Sequence, residues 1–347
     1  MLIKKKQKLV IAHDFNFAKY FPVGAALPYE GTGKKLCDEI RRRKPADLEV
    51  VWTPDTHEME THLRDADIFV GYYVTGKWLD KAPRLKWVQA GSAGIDHFLK
   101  MSDVALPDLS ARGIALTSAA GITRIVIGEH ILAFILMFAR AMHRSMRQQL
   151  NHHWDIFMAD EAYGRTVGII GLGEIGDRAA ELCRSLGMIV VGTKRRPESY
   201  AGPAHAVYPS SEYRRVMAEA DYLVLACSLN EETRGLINDD SISVMKRSAV
   251  LINIARGEIV DEKALVRALK DGRIAGAGLD TFGVPGRRGS KDLEALDMRS
   301  ELWDLDNVII SPNNASATPR IYEYLAEIIV ENYRRLHEGL PLAHRIV

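Results

Sequence analysis

The sequence predicts an α/β protein made of two doubly wound parallel-sheet domains, with the chain crossing back between them near residue 315. Three observations carry this. The first third alternates short apolar runs with amphipathic stretches: LVIA, the helical KLCDEIRRR, LEVVW, HLRDADIFVGY and LKWVQAG, before a loop reaches GIALTSAAG. A second series then runs TVGIIG, a helix, MIVVG, YLVLACS, SAVLINI, IAGAGLD and NVIIS, the near-continuous apolar runs of strands covered on both faces. Last, PRIYEYLAEIIVENYRRLHEGL has the pattern of one amphipathic helix, opened by Pro319 and closed by Gly339.

A chain of 347 residues, 47% hydrophobic and 26% charged, can bury a large core. Its net charge of +1 gives no bulk attraction to nucleic acid or to an anionic membrane, so neither is expected as a partner. Cys37, Cys183 and Cys227 have no metal-ligand spacing and fit reduced thiols in a cytoplasm. The start, MLIKKKQKLVIAHDF, has too short an apolar patch for a signal peptide and reads as a solvated leader into a strand. The greasiest stretch, IVIGEHILAFILMFARAM, is expected as one helix; Glu129, His130 and Arg140 argue against a membrane span. Apolar nearly all round, it belongs in a subunit or domain interface.

The stretch TVGIIGLGEIGDRAAELCRSLG places Gly171, Gly173 and Gly176 as GxGxxG between a strand and a helix. The first glycine permits the tight turn, the second lets a pyrophosphate approach the backbone, and the third allows close helix–strand packing. This is a Rossmann-like dinucleotide site. An acid at the tip of the next strand would select NAD, but here TKRRP puts Lys194, Arg195 and Arg196 there. Cations attract a 2′-phosphate, so NADP(H) is expected, with NAD possible.

These motifs, with LNEETRGLIN, VLINIARGEIVDEKALVRALKDGRIAGAGLD, GSAGIDHF and RGIALTSAAGITRIVIGEH, resemble the D-isomer-specific 2-hydroxyacid dehydrogenases over residues 65 to 335. The resemblance implies a homodimer and a nucleotide domain, 119–315, inserted into a discontinuous substrate domain, 1–118 plus 316–347. It implies hydride transfer between a nicotinamide and a small 2-keto or 2-hydroxy acid. The substrate's carboxylate would meet Arg256 and the turn Gly91, Ser92, Ala93 and Gly94, near Tyr72 and Tyr73. Cofactor contacts would come from Ile127, from Gly171, Gly173, Glu174, Ile175 and Gly176, and from Lys194, Arg195 and Arg196. Further contacts would come from Ser228, Leu229 and Thr233, from Ile254, Ala255 and Arg256, and from Asp280, Asn313 and Ala315. Asn253 is expected to hold its loop rather than touch substrate. No metal is expected.

Two departures stand out. The family's proton-carrying His falls at Asn313 in SPNNASATP, and the Glu that orients it falls at Pro285 in LDTFGVPG. An asparagine amide can hydrogen-bond a carbonyl but has no proton to give at working pH. Turn chemistry accounts for Asn314 but not for both losses. Tyr72, Tyr73 and His97 are other candidate donors, though packing or surface roles fit each better. Three functions follow: a reductase with altered or weak acid–base chemistry, catalysed by Arg256 with Asn313; a low-turnover dinucleotide-binding regulatory dimer; or an oxidase of a hydride donor such as formate, which needs no proton transfer.

Overall fold

The computed structural model describes residues 6–12, 32–283 and 296–347, apart from the side chains of Asp96 and His97. Pro285, the leader residues 1–5 and the side chain of His97 therefore lie outside the described residues. The chain forms two compact units, Met1–Thr123 with Thr318–Val347, and Arg124–Ala317.

In the first unit, strands β1 (Gln7–Ile11), β2 (Leu48–Trp52), β3 (Ile68–Gly71), β4 (Trp87–Ala90) and β5 (Ala115–Thr117) alternate with helices. These are α1 (Thr32–Arg43), α2 (Thr56–Leu63), α3 (Gly76–Lys81), α4 (Ile95–Met101) and α5 (Leu106–Ala111). The sheet is parallel throughout, in the order β2-β1-β3-β4-β5. Its strands are almost wholly apolar because helices cover them. The C-terminal helix, Ile321–Glu338, packs on α1 through a stripe that includes Ile321, Leu325, Ile329 and Tyr333, spaced by four. It stops at Gly339, whose φ of 73° suits glycine. Pro319 lies just ahead of its N-cap, Arg320.

The second unit opens with α6 (Arg124–Ala139) and α7 (Met142–Leu150), followed by β6 (Thr166–Ile170), α8 (Glu174–Ser185), β7 (Ile189–Lys194) and β8 (Ala206–Pro209). After these come α9 (Tyr213–Glu219), β9 (Tyr222–Leu225), α10 (Asp239–Ile242), β10 (Val250–Asn253), α11 (Glu262–Lys270), β11 (Gly276–Leu279) and β12 (Val308–Ile310). The sheet is parallel, in the order β12-β11-β10-β9-β6-β7-β8. Alternate residues feed opposite faces: Leu223, Leu225 and Leu251 join one apolar cluster, Val224 and Ile252 the other. Both parallel sheets match the expected fold class. Strand β8 was not anticipated, because it is a half-buried edge strand ending in proline and has little apolar pattern to read.

The greasy stretch is one helix through Ala139, as expected, and only its last residue, Met142, opens the next helix, α7. Ala141 takes a left-handed conformation, and α7 departs at 71° to α6. The free carbonyls at the end of α6 are met by the Ala141 N–H, 3.0 Å from Phe138 O, and by His143 Nδ1, 3.3 Å from Met137 O. Among the described residues no single helix is long and apolar enough to cross a membrane. The glycines of IAGAGLD explain how α6 seats itself: a Cβ on Gly276 or Gly278 would come within 2.7 Å of Phe138 or 2.8 Å of Phe134. Beyond α6, Met142, Met146, Leu150, Trp154, Ile156 and Met158 form an exposed apolar band.

Candidate dinucleotide and substrate site

Chain direction does most of the work of assembling the site in the second unit. Because all seven strands run the same way, the segments that leave their carboxyl ends share one edge of the sheet. The order reverses between β6 and β9, which makes the place beside the turn after β6 the topological switch point. At this edge lie Gly171–Gly176 after β6, Lys194–Arg196 after β7, and Ser228–Thr233 after β9. Ile254–Arg256 follow β10, Asp280 follows β11, and Ser311–Ala315 follow β12. Ile127 is the exception, buried in the core on α6 with Leu172, Ile254 and Ala315.

The glycine turn has the geometry a pyrophosphate requires. Gly171 has φ of 104°, where a side chain would be strained. A Cβ on Gly176 would strike Gly171 O, so only glycine lets α8 start this close to β6. Gly173 caps α8 and has open space where its Cβ would be. The N–H groups of Glu174 and Ile175, at the start of α8, have no carbonyl of the helix before them to bond, and the helix bonds begin with Asp177 N to Gly173 O at 2.7 Å. The residues present fit a dinucleotide.

The three cations at the tip of β7 divide their roles. Lys194 turns inward: its ammonium donates to Leu172 O at 2.5 Å and lies 5.3 Å from the centre of the Tyr200 ring. Tyr200 in turn donates to Asp177 Oδ1 at 2.8 Å. Arg195 and Arg196 are exposed and make no ion pair among the described residues. On the far side of the switch point, Thr233 Oγ1 donates to Ser228 O at 2.8 Å, locking the turn that carries Leu229.

The loop after β10 is braced from beneath. Asn253, fully buried, accepts from Ala255 N at 3.0 Å and donates to Arg256 O at 2.9 Å. Asn253 therefore holds the loop, as expected of it, and leaves Arg256 half-buried with Nη1 donating to Ala255 O at 2.7 Å.

Asp280 is buried and organises the turn after β12. Its carboxylate accepts from Ser311 Oγ, from Asn314 N at 3.1 Å and from Ala315 N at 3.1 Å. His130 of α6 completes the cluster, with Nε2 2.9 Å from Ser311 Oγ and 3.8 Å from Asp280 Oδ1. Burial pulls the His130 pKa below its ordinary value, against the opposing pull of Asp280. The imidazole is thus neutral near pH 7. Between these anchors Asn313 adopts φ of 53°. The left-handed residue of the pair is Asn313 and not Asn314.

Sequence reading did not find the His130–Ser311 contact. Its one signal was a lone histidine in an apolar helix, and its partner lies 181 residues away.

In the first unit, Gly91 N donates to Gly71 O at 2.8 Å, tying the turn that follows β4 to the end of β3. Ser92 Oγ donates to Gly94 O at 2.9 Å, Ala93 is exposed, and Gly94 is the N-cap of α4. Beneath this turn runs a buried chain: Trp87 Nε1 donates to Thr117 Oγ1, and Thr117 Oγ1 to Gln89 Oε1, each at 2.7 Å. Gln89 Nε2 then donates to Ala90 O at 2.8 Å. Tyr72 is buried, and Tyr73 packs against Trp78 with ring centres 5.1 Å apart.

Residues 132–315 match the model of the D-isomer specific 2-hydroxyacid dehydrogenase NAD-binding domain. A glyoxylate reductase of Pyrococcus horikoshii is 34% identical over 321 residues, covering 89% of this chain and 86% of its own. A second, from Pyrococcus furiosus, is 33% identical and covers 75% of each chain. Among solved structures, a D-isomer specific 2-hydroxyacid dehydrogenase from Xanthobacter autotrophicus, in complex with NADPH and MES, superposes with TM-score 0.75 at 26% identity over 99% of this chain and 98% of that one. An NADPH-dependent glyoxylate/hydroxypyruvate reductase from Sinorhizobium meliloti, in complex with NADP and sulfate, gives 0.73 at 25% identity over 98% of each.

Proposed function

Since the chain belongs to the D-isomer specific 2-hydroxyacid dehydrogenases, NAD(P)-dependent oxidoreductases, we propose that it reduces a small 2-keto acid of the size of glyoxylate or hydroxypyruvate with NADPH. The observation that carries this reading is Arg256, held at the switch-point edge by Asn253 on the same sheet as an intact glycine turn. Bound NADPH supplies the hydride for the keto carbon. Arg256 grips the substrate carboxylate and stabilises charge growing on the carbonyl oxygen. The backbone N–H groups of residues 91–94 are the second anchor for the carboxylate. Arg195 and Arg196 read the 2′-phosphate, while Lys194 holds the glycine turn.

Asn313 donates a hydrogen bond to the carbonyl oxygen and cannot transfer a proton to it. Water or a tyrosine then supplies the proton, and the absent general acid costs about 10²–10⁴ in rate. The exposed band from Met142 to Met158 supports a homodimer that buries it, and three free cysteines suit a cytoplasmic protein. Asn313 also favours one rival, a regulatory dimer in which cofactor occupancy matters and turnover does not. NADPH consumption with a keto-acid panel separates the two. Steady turnover supports the reductase, and tight NADPH binding with no turnover supports the regulator.

A further inference from the structure

We propose that His130 is a positioning residue for this site: through Ser311 and Asp280 its imidazole fixes the turn that presents Asn313. What that turn does rests on the reductase reading; how it is held does not. Donor accounting defines the chain. The Asp280 carboxylate accepts the Asn314 and Ala315 N–H groups, and the single Ser311 hydroxyl proton also goes to it. His130 Nε2 must therefore carry the proton that bridges the 2.9 Å to Ser311 Oγ.

The ring itself cannot wander. It stands edge-on to Phe134 at 4.8 Å between ring centres, and Phe134 is seated in the space left by Gly278. Asn313 thus lies between two anchored neighbours, Ser311 on one side and Asn314 on the other, both tied to Asp280. A helix of the core reaches the turn by one imidazole.

The test compares His130→Phe, His130→Gln and Ser311→Ala with the unmodified protein, reading kcat and KM for glyoxylate and the NADPH dissociation constant by nicotinamide fluorescence. Loss of one hydrogen bond in a chain ending on a charged group lowers kcat or weakens NADPH binding about tenfold in His130→Phe and Ser311→Ala, with KM for glyoxylate little changed. Combining those two changes adds no further loss, because they break one chain. Glutamine, whose amide can donate in place of Nε2–H, restores most of the effect. A space-filling role predicts the opposite ranking, with phenylalanine tolerated better than glutamine, and that result overturns the proposal. Unchanged kcat and unchanged NADPH affinity in both His130→Phe and Ser311→Ala also overturn it. If the unmodified protein reduces no keto acid, the reductase reading fails, yet equal weakening of NADPH binding in those two variants still sustains the role of His130.

Discussion

The turn after β6 and the turn after β12 lie at the same edge of one parallel sheet, yet they are constrained in different ways. The first is dictated by backbone sterics: Gly171 is left-handed, and at Gly176 any side chain would collide with Gly171 O. The second is held by side chains that reach it from outside, Asp280 and His130. The glycine turn is thus fixed by the backbone itself, whereas the turn after β12 depends on contacts from two other segments.

The most damaging change lies in the first turn. Gly176→Val should cost about 3 kcal/mol through overpacking and abolish NADPH binding. Thermal unfolding and a fluorescence titration check this, and an unaltered melting temperature would mean that α8 can shift away from β6. Next is the β7 tip. Changing Arg195 and Arg196 together to Asp should lower the preference for NADPH over NADH by about 10–100-fold, the scale of one or two charged hydrogen bonds. Lys194→Asp should weaken both cofactors alike, because its ammonium serves the glycine turn. Ratios of kcat/KM for the two cofactors decide between these.

A smaller effect, opposite in sign, is expected in the second turn. Asn313→His should raise kcat about tenfold, below the full contribution of a positioned acid because no Glu stands at position 285 to orient it. The backbone permits the change, since His, like Asn, is among the residues that tolerate φ near 53°. No gain in kcat would show that the proton already has an efficient route. The smallest effect is expected in the first unit. Lys81 and Lys77 hold the buried Glu60 carboxyl down to about 2 from an ordinary 4.5. This lowered pKa gives stability that is complete above pH 4.5 and lost as pH falls through 2. Glu60→Gln should therefore lower the melting temperature at pH 7, with the difference from the unmodified protein shrinking below pH 4.5 and vanishing below pH 2.

How much of this could be read beforehand follows the same division. The strands of both sheets and the glycine turn were legible because hydrophobic runs and required glycines are local signals. Strand β8 was not, since an edge strand such as AVYP needs little apolar character. Nor could the sequence separate Lys194 from Arg195 and Arg196: all three are cations, and only packing sends the first to Leu172 O. The break at Ala141 hid inside an apolar run, and the cluster of His130, Ser311 and Asp280 joins segments that only the sheet order brings together.

Arg256 is expected to drive reduction of a small keto acid beside Asn313. Following NADPH oxidation with glyoxylate, hydroxypyruvate, pyruvate and bulkier keto acids tests this directly, with Arg256→Ala alongside. The expected result is measurable turnover of a small keto acid, falling about 10²–10³-fold in the variant while NADPH still binds. Tight NADPH binding without turnover of any of these acids, or turnover that Arg256→Ala leaves untouched, would contradict it.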